Sequence, residues 1–270
     1  MEWFLIIISA ICAGIGTGFV GLSAATVMVP ILIVLCPSFA GDTGVYQATA
    51  VALVSDILGS AVATYTYAKN KNINLKQSWL IMLCILIMCA VGSYTAYIVE
   101  NVVLGSFTLF LTFCIGIRFL VKPDTTRKKT NQATSYKLDL KTIILSLVCG
   151  IPIGFGTGFV GTGGGMMMLI ILSVFFKMEL KTAVGTSTFI MTFTALIASI
   201  SHILIHPAIA FEKWDIMLVC IIVATISSIV SARFANRVNN RTIGIATGIV
   251  LTILGATMII LNYWDTLSIF

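Results

Sequence analysis

The sequence predicts an all-α integral membrane protein made of two inverted-topology repeats, each a re-entrant helical hairpin followed by three transmembrane helices. Three observations lead there. Hydrophobic residues fill 59% of the 270 positions and the mean hydropathy is +1.07. A glycine-rich octapeptide occurs twice, and the basic residues gather on one side of a bilayer only if the two halves are inverted. Charged residues amount to 10%, against about 25% in soluble domains, which excludes a soluble globular protein. At roughly 30 residues per crossing and its turn, this length leaves no room for a separate soluble domain. Met1-Glu2-Trp3 lacks the basic start of a signal peptide and no A-x-A site follows, so the first apolar run reads as part of the mature chain.

Residues 1–121 form the first repeat, with a hairpin at 3–37 and spans at 47–68, 78–99 and 101–121. A hydrophilic linker at 122–140 leads to the second repeat, 141–270, with a hairpin at 141–176 and spans at 182–206, 214–235 and 242–262. The two hairpin runs are about 35 residues long, and one straight helix of that length would reach about 52 Å against a hydrocarbon core of about 30 Å. Glycines interrupt both near the middle: Gly14-Ile15-Gly16-Thr17-Gly18-Phe19-Val20-Gly21 in one, Gly154-Phe155-Gly156-Thr157-Gly158-Phe159-Val160-Gly161 in the other. Seven of the eight positions match at an offset of 140. Thr49-Ala50-Val51 is echoed by Thr182-Ala183-Val184, and Trp79 by Trp214, so the chain reads as a tandem duplication.

Charge decides how the broken runs sit. If both crossed the membrane, 11 basic residues would lie inside and 5 outside. If both turn back at the glycines, the second half is inverted, 15 lie inside, and Lys213 alone lies outside. The hairpin arrangement follows, with arms of 3–13 and 22–36, and of 142–153 and 166–176, each reaching about the midplane. It places a multi-pass protein in the cell membrane, with the 122–140 linker cytoplasmic and both termini outside. The net charge of +6 is then a topology signal rather than a nucleic-acid surface.

Irregular backbone at membrane depth is tolerated only where protein or a wet cavity satisfies its polar groups. Two half-helices starting near Ser23 and Gly165 would each offer roughly +0.5 of a charge and unpaired N–H groups at mid-depth, a cradle for an anion without a buried cation. The substrate-binding candidates are therefore Gly16, Thr17, Gly18, Gly21 and Ser23 from the first tip, Gly156, Thr157, Gly158, Gly161, Thr162, Gly163, Gly164 and Gly165 from the second, with Thr186 and Ser187. The competing role of such glycines is close helix packing. Ser55, Thr186, Ser187 and Thr188 either face the pocket or bond back to their own helices. Asp56 lies deep in a span, so it is either a proton-coupling group or a hydrogen-bonded contact between helices. His202 and His206 fall at an outer span end beside Pro207, and the aromatics near span ends read as interface anchors.

The seven cysteines form no C-x-x-C pair and read as small buried hydrophobes; no metal site and no cofactor are expected. Gly21-Leu22-Ser23-Ala24 departs from the G-x-S-G of a membrane serine protease and no histidine is placed at mid-depth, so no catalytic residues and no enzyme activity are expected.

On Gly154 to Gly165 (GFGTGFVGTGGG), the following Ala183-Val184-Gly185-Thr186-Ser187 and the degenerate first copy Gly14 to Pro30, the sequence resembles the sulfite exporter TauE/SafE family. The resemblance covers nearly the whole chain. It implies a secondary transporter, usually outward, for small sulfur-containing anions such as sulfite or organosulfonates. The copies differ where Ser23-Ala24-Ala25 stands against Gly163-Gly164-Gly165, and where Pro30 stands against Ile170. The expected partners are a small anion and the lipid bilayer, with no nucleic acid; a homo-oligomer is compatible with this reading. The expected mechanism is alternating access around a midplane site, with an anion or small-solute channel as the alternative.

Overall fold

A computed structural model describes residues 2–39, 44–98, 113, 117, 120–121, 140–161, 164–205 and 212–267. The described elements are helical: α1 Glu2–Val20, α2 Ala24–Leu35, a short 3-10 turn Pro37–Phe39, α3 Gly44–Lys69, α4 Leu75–Ile98, α5 Leu140–Val160, α6 Gly165–Ile170, α7 Leu180–Ile205, α8 Trp214–Arg237 and α9 Asn240–Leu267. Helix α6 continues as a π-helical turn over Ile171–Phe175. Among the described residues, five helices are long and apolar enough to cross a membrane. Their outward faces carry large exposed apolar side chains such as Phe4, Ile87, Val148, Leu204 and Val230, a pattern that suits lipid and that water would penalise. The expected 101–121 span lies almost wholly, and the 122–140 linker all but Leu140, outside the described residues.

Polar contacts define two ends of the molecule. At one, the Ser38 amide donates to Glu2 Oε1 at 2.8 Å, Lys213 Nζ donates to the Ser38 carbonyl at 3.0 Å, and Gln47 Nε2 donates to Glu212 Oε2 at 3.1 Å. At the other, Asn72 Nδ2 donates to Asn236 Oδ1 at 2.7 Å, Lys181 Nζ to the Asn236 carbonyl at 3.0 Å, and Asn240 Nδ2 to Glu179 Oε1 at 2.7 Å. The starts of α1, α3 and α8 therefore share the first end, and the starts of α4, α7 and α9 the second. Lys69, Lys71, Lys76, Lys177, Lys181, Arg237 and Arg241 lie at or near the second end, whereas Lys213 lies at the first.

The Glu2–Ser38 bond closes α1 and α2 into a hairpin that enters and leaves by the first end. Helix α5 runs alongside α4 in the same direction: Gly150 faces Cys84, Gly154 faces Ile85 and Met88, and Gly158 faces Cys89 and Ser93. It thus starts at the second end, to which α6 returns by way of Glu179. Helix α1 is parallel to α8 in the same manner, with Gly14 against Ala224 and Ser227, and Gly18 against Ser228, Ser231 and Ala232. Helices α3 and α7 pack on each other at the centre. Exchanging α1, α2, α3 and α4 for α5, α6, α7 and α8 maps these main packings onto one another.

The hairpin arms are unequal, which differs from the expectation of matched half-length arms. Helix α1 has 19 residues and α5 has 21, roughly 28 and 32 Å, while α2 has 12, roughly 18 Å. The octapeptide glycines before the last are helical, and the break comes after them. In an apolar medium a continuous helix satisfies every backbone N–H and C=O. Glycine's helix penalty of about 1 kcal/mol is offset where the missing side chain lets two backbones approach. Serine hydroxyls then bind the carbonyls so exposed: Ser231 Oγ donates to the Gly14 carbonyl at 3.1 Å, Ser93 Oγ to that of Gly158 at 3.3 Å.

Candidate functional site

The last glycine of each octapeptide ends its helix. Gly21 has φ +75° and Gly161 φ +69°, a left-handed conformation that a side chain would disfavour by about 1–2 kcal/mol. Their amides donate to the Thr17 and Thr157 carbonyls, each at 3.0 Å. This is the left-handed glycine cap that closes a helix C-terminus. After Gly21 the chain turns back through Leu22, whose amide donates to the Gly16 carbonyl at 3.1 Å, to Ser23, the N-cap of α2. Helix α6 begins after Gly164, which is left-handed and supplies no side-chain cap. The half-helices thus start at the two expected places.

The tips meet. A methyl group added at Gly165 would lie 2.5 Å from the Gly21 carbonyl oxygen and 3.3 Å from the Ser23 amide nitrogen, and would also strike Met191 Sδ. On the other side of Gly21, a methyl group would lie 2.9 Å from Ser187 Oγ. Gly21, Ser23, Gly165 and Ser187 are therefore gathered at one point, and Thr157 Oγ1 stands against Gly164. Thr17, Ser23, Thr157 and Ser187 are all buried.

Other expected residues lie away from this point. Gly18 and Gly158 sit in helix contacts, Gly16 faces Leu22 and Val27 inside the first hairpin, and an added Cβ on Gly156 meets nothing within 4 Å. Thr162 and Gly163 lie outside the described residues. Thr186 Oγ1 accepts from the Asn74 amide at 3.1 Å. Ser55, Ser187 and Thr188 donate to carbonyls of their own helices, those of Val51, Val184 and Gly185. His206 is outside the described residues, and His202 is in the last turn of α7. The described cysteines are free thiols, with Cys36, Cys89 and Cys220 buried and Cys12 exposed.

Asp56 joins the first tip from α3. It is the thirteenth of that helix's 26 residues and fully buried. Ser23 Oγ donates to Asp56 Oδ2 at 2.6 Å and accepts from the Ala25 amide at 3.3 Å, so one hydroxyl caps α2 and binds the acid. The Ala24 amide and the Thr17 hydroxyl also stand beside the carboxyl group. Oδ1 nevertheless has no hydrogen-bond partner. Behind Asp56, Ser60 Oγ donates to its carbonyl at 2.5 Å, and Thr192 Oγ1 of α7 lies 3.0 Å from Ser60 Oγ. Sequence reasoning marked Asp56 but not Ser60, Thr192 or Met191; Ser60, four residues after the acid on the same helix, was the available signal.

A buried acid among hydroxyls, at the meeting point of two helix breaks inside an apolar bundle, suits passage of a small polar solute better than structural packing alone. The family model described as sulfite exporter TauE/SafE matches residues 6–258. The chain belongs to this family. A probable membrane transporter protein of Methanocaldococcus jannaschii is 25% identical over 262 residues, covering 95% of each chain. The probable membrane transporter protein YunE of Bacillus subtilis is 21% identical over 272 residues, covering 96% of this chain and 98% of its own. One from Haemophilus influenzae is 23% identical over 160 residues, or 59% of this chain and 60% of its own. No solved structure matches. Family membership makes this a membrane-embedded transporter. Both octapeptides and the Ser23–Asp56 pair fall inside the matched residues.

Proposed function

We propose that the protein is a secondary transporter that exports a small sulfur-containing oxyanion, such as sulfite or an organosulfonate, across the cell membrane. The observation that carries this reading is the contact of Gly165 with Gly21 and Ser23. It brings two helix breaks, which enter from opposite ends, to one buried point with hydroxyls and backbone amides but, among the described residues, without lysine or arginine. Such a point favours an anion through helix ends and N–H groups. The substrate class is taken from the family's description as sulfite exporters. The anion binds between the tips, against Gly21, Ser23, Gly164, Gly165 and Ser187, and movement of the surrounding helices exposes it to either side in turn.

The same reading makes residues 1–121 and 141–270 inverted repeats. The supporting facts are the exchange of helix packings and the hairpins' opposite ends of entry. It puts the basic second end in the cytoplasm and the termini outside. Asp56 is the coupling group, and the carried ion is a proton.

Proteoliposomes holding the purified protein, offered labelled sulfite and a panel of sulfonates, test the reading. Saturable counterflow of at least one is expected, and it separates a carrier from an anion channel, the other device that paired half-helices build. Absence of flux for every anion would reject the substrate class. Gly165→Ala, whose methyl group strikes Gly21 and Met191, is expected to abolish counterflow in a protein that still purifies as a single species. Wild-type counterflow in that variant would move the site away from the tips.

A further inference from the structure

The N-terminus of α2 already has a carboxyl group beside it. Of its first donors, the Ala25 amide is held by Ser23 Oγ, the Thr26 amide by the Ser23 carbonyl at 3.1 Å, and the Ala24 amide stands beside Asp56. A helix of 12 residues carries roughly half a positive charge at this end. An ionised Asp56 neutralises it and accepts the Ser23 hydroxyl. A substrate anion at the tip contact would need the same hydroxyl and the same helix end. Two anions sharing a buried site repel strongly.

We infer that Asp56 links substrate binding to a proton: the anion occupies the tip contact only when the Asp56 carboxyl is protonated, so one proton travels with each anion. This rests on the transport site proposed above. Asp56 Oδ1, fully buried and without a partner, is the oxygen that takes the proton. The proton comes from the aqueous phase and returns to it, and no bond in the substrate changes. Once Asp56 is neutral, Ser23 Oγ can turn from the carboxyl to the anion.

Among the described residues, Asp56 is the one buried charged side chain. On the helices packed against α3, the charged residues Glu2, Lys181, Asp215, Arg233 and Arg237 lie in the terminal turns or next to them; Cys36 closes the far end of α2, Cys12 and Cys220 precede the Gly14–Ala224 contact of α1 and α8, and His202 belongs to the last turn of α7. The groups beside the Asp56 carboxyl are Ser23, Ala24 and Thr17. At the corresponding place α7 has Phe189, so the device exists once. A monovalent anion and a proton together carry no net charge, so their joint passage is indifferent to the membrane potential, and export proceeds wherever the outward gradient of the anion exceeds the inward gradient of the proton.

Methanesulfonate, whose charge is fixed over the working pH range, and sulfite are the probes, used with full-length protein in proteoliposomes. Half-saturation for wild-type counterflow of methanesulfonate is expected to rise about tenfold per pH unit on the alkaline side, the slope for one linked proton. Net methanesulfonate flux should follow a pH gradient and ignore an imposed potassium diffusion potential. Whatever counterflow Asp56→Asn retains is expected to lose the pH dependence, and its net flux to respond to the potential. Wild-type methanesulfonate counterflow that is flat in pH, with net flux driven by the potential, would overturn the linkage while leaving the transporter reading intact. Sulfite counterflow without methanesulfonate counterflow would place the probe outside the substrate range; sulfite flux that follows potential and not pH then overturns the linkage. An Asn variant that retains the wild-type pH slope would overturn the assignment to Asp56. No counterflow of either anion at any pH would reject the transport reading and this inference together.

Discussion

Adding one methyl group at Gly18 should loosen the protein, whereas the same change two residues earlier should not. A Cβ on Gly18 would collide with Ser231 Oγ, the Ser228 carbonyl oxygen and the Ala232 amide nitrogen, and two of those three belong to backbone that cannot rotate away. Relief requires α1 and α8 to separate, which also strains the Ser231–Gly14 and Tyr67–Gly18 hydrogen bonds of 3.1 Å each. Overpacking of this kind costs about 1–3 kcal/mol. A Cβ on Gly16 would instead sit 3.6 Å from Leu22 and Val27, an ordinary contact, and alanine gains up to about 1 kcal/mol over glycine inside a helix. Gly18→Ala is therefore expected to lower the unfolding midpoint by roughly 2–12 °C, and Gly16→Ala to leave it unchanged or raise it. Thermal unfolding in one detergent, followed by tryptophan fluorescence, reads both variants. A Gly18→Ala protein that unfolds with or after the wild type would refute the close packing of α1 on α8.

Gly158→Ala should be destabilised like Gly18→Ala, because its Cβ would meet the Cys89 carbonyl and lie 2.8 Å from the Ser93 amide nitrogen; the same melt shows it, and Gly156→Ala serves as the neutral control. Ser23→Ala removes a helix cap and a hydrogen bond donated to a buried carboxyl oxygen, so a loss of about 1–3 kcal/mol is expected by chemical unfolding. Tyr67→Phe deletes the bond from a fully buried hydroxyl to the Gly18 carbonyl without changing shape. It should cost about 1 kcal/mol in the same assay, and no change would deny that bond its role in holding α1.

The starts of α2 and α6 were legible because each depends on local sequence. The apolar run from Ala24 and the one from Gly165 both open after residues that end the preceding helix, and α2 and α6 begin there. The helical state of Gly14, Gly16 and Gly18 was not legible. A glycine cluster gives the same local signal whether it turns the chain or admits a neighbour. The deciding partners, Ser227, Ser228 and Ser231, lie more than 200 residues later. The partner of Asp56 was hidden for a similar reason, since burial of an acid announces that something satisfies it but not that Ser23, 33 residues earlier, does so. The unequal arms follow from the first fact: once the glycines stay helical, the turn moves to Gly21 and the entering arm lengthens.

The parallel pairs α1 with α8 and α5 with α4 mean that each long arm is embraced by helices from the opposite half of the chain. The unit that repeats in sequence is thus not a body that can swing freely in space. A rocking of residues 1–121 as one block against 141–270 would shear both glycine seams at once. Motion that preserves the seams must carry α1 with α8 and α5 with α4, so its boundary runs through each half rather than between them. By the same reasoning neither half encloses its own long arm, and the two halves made as separate chains should find one another in the membrane.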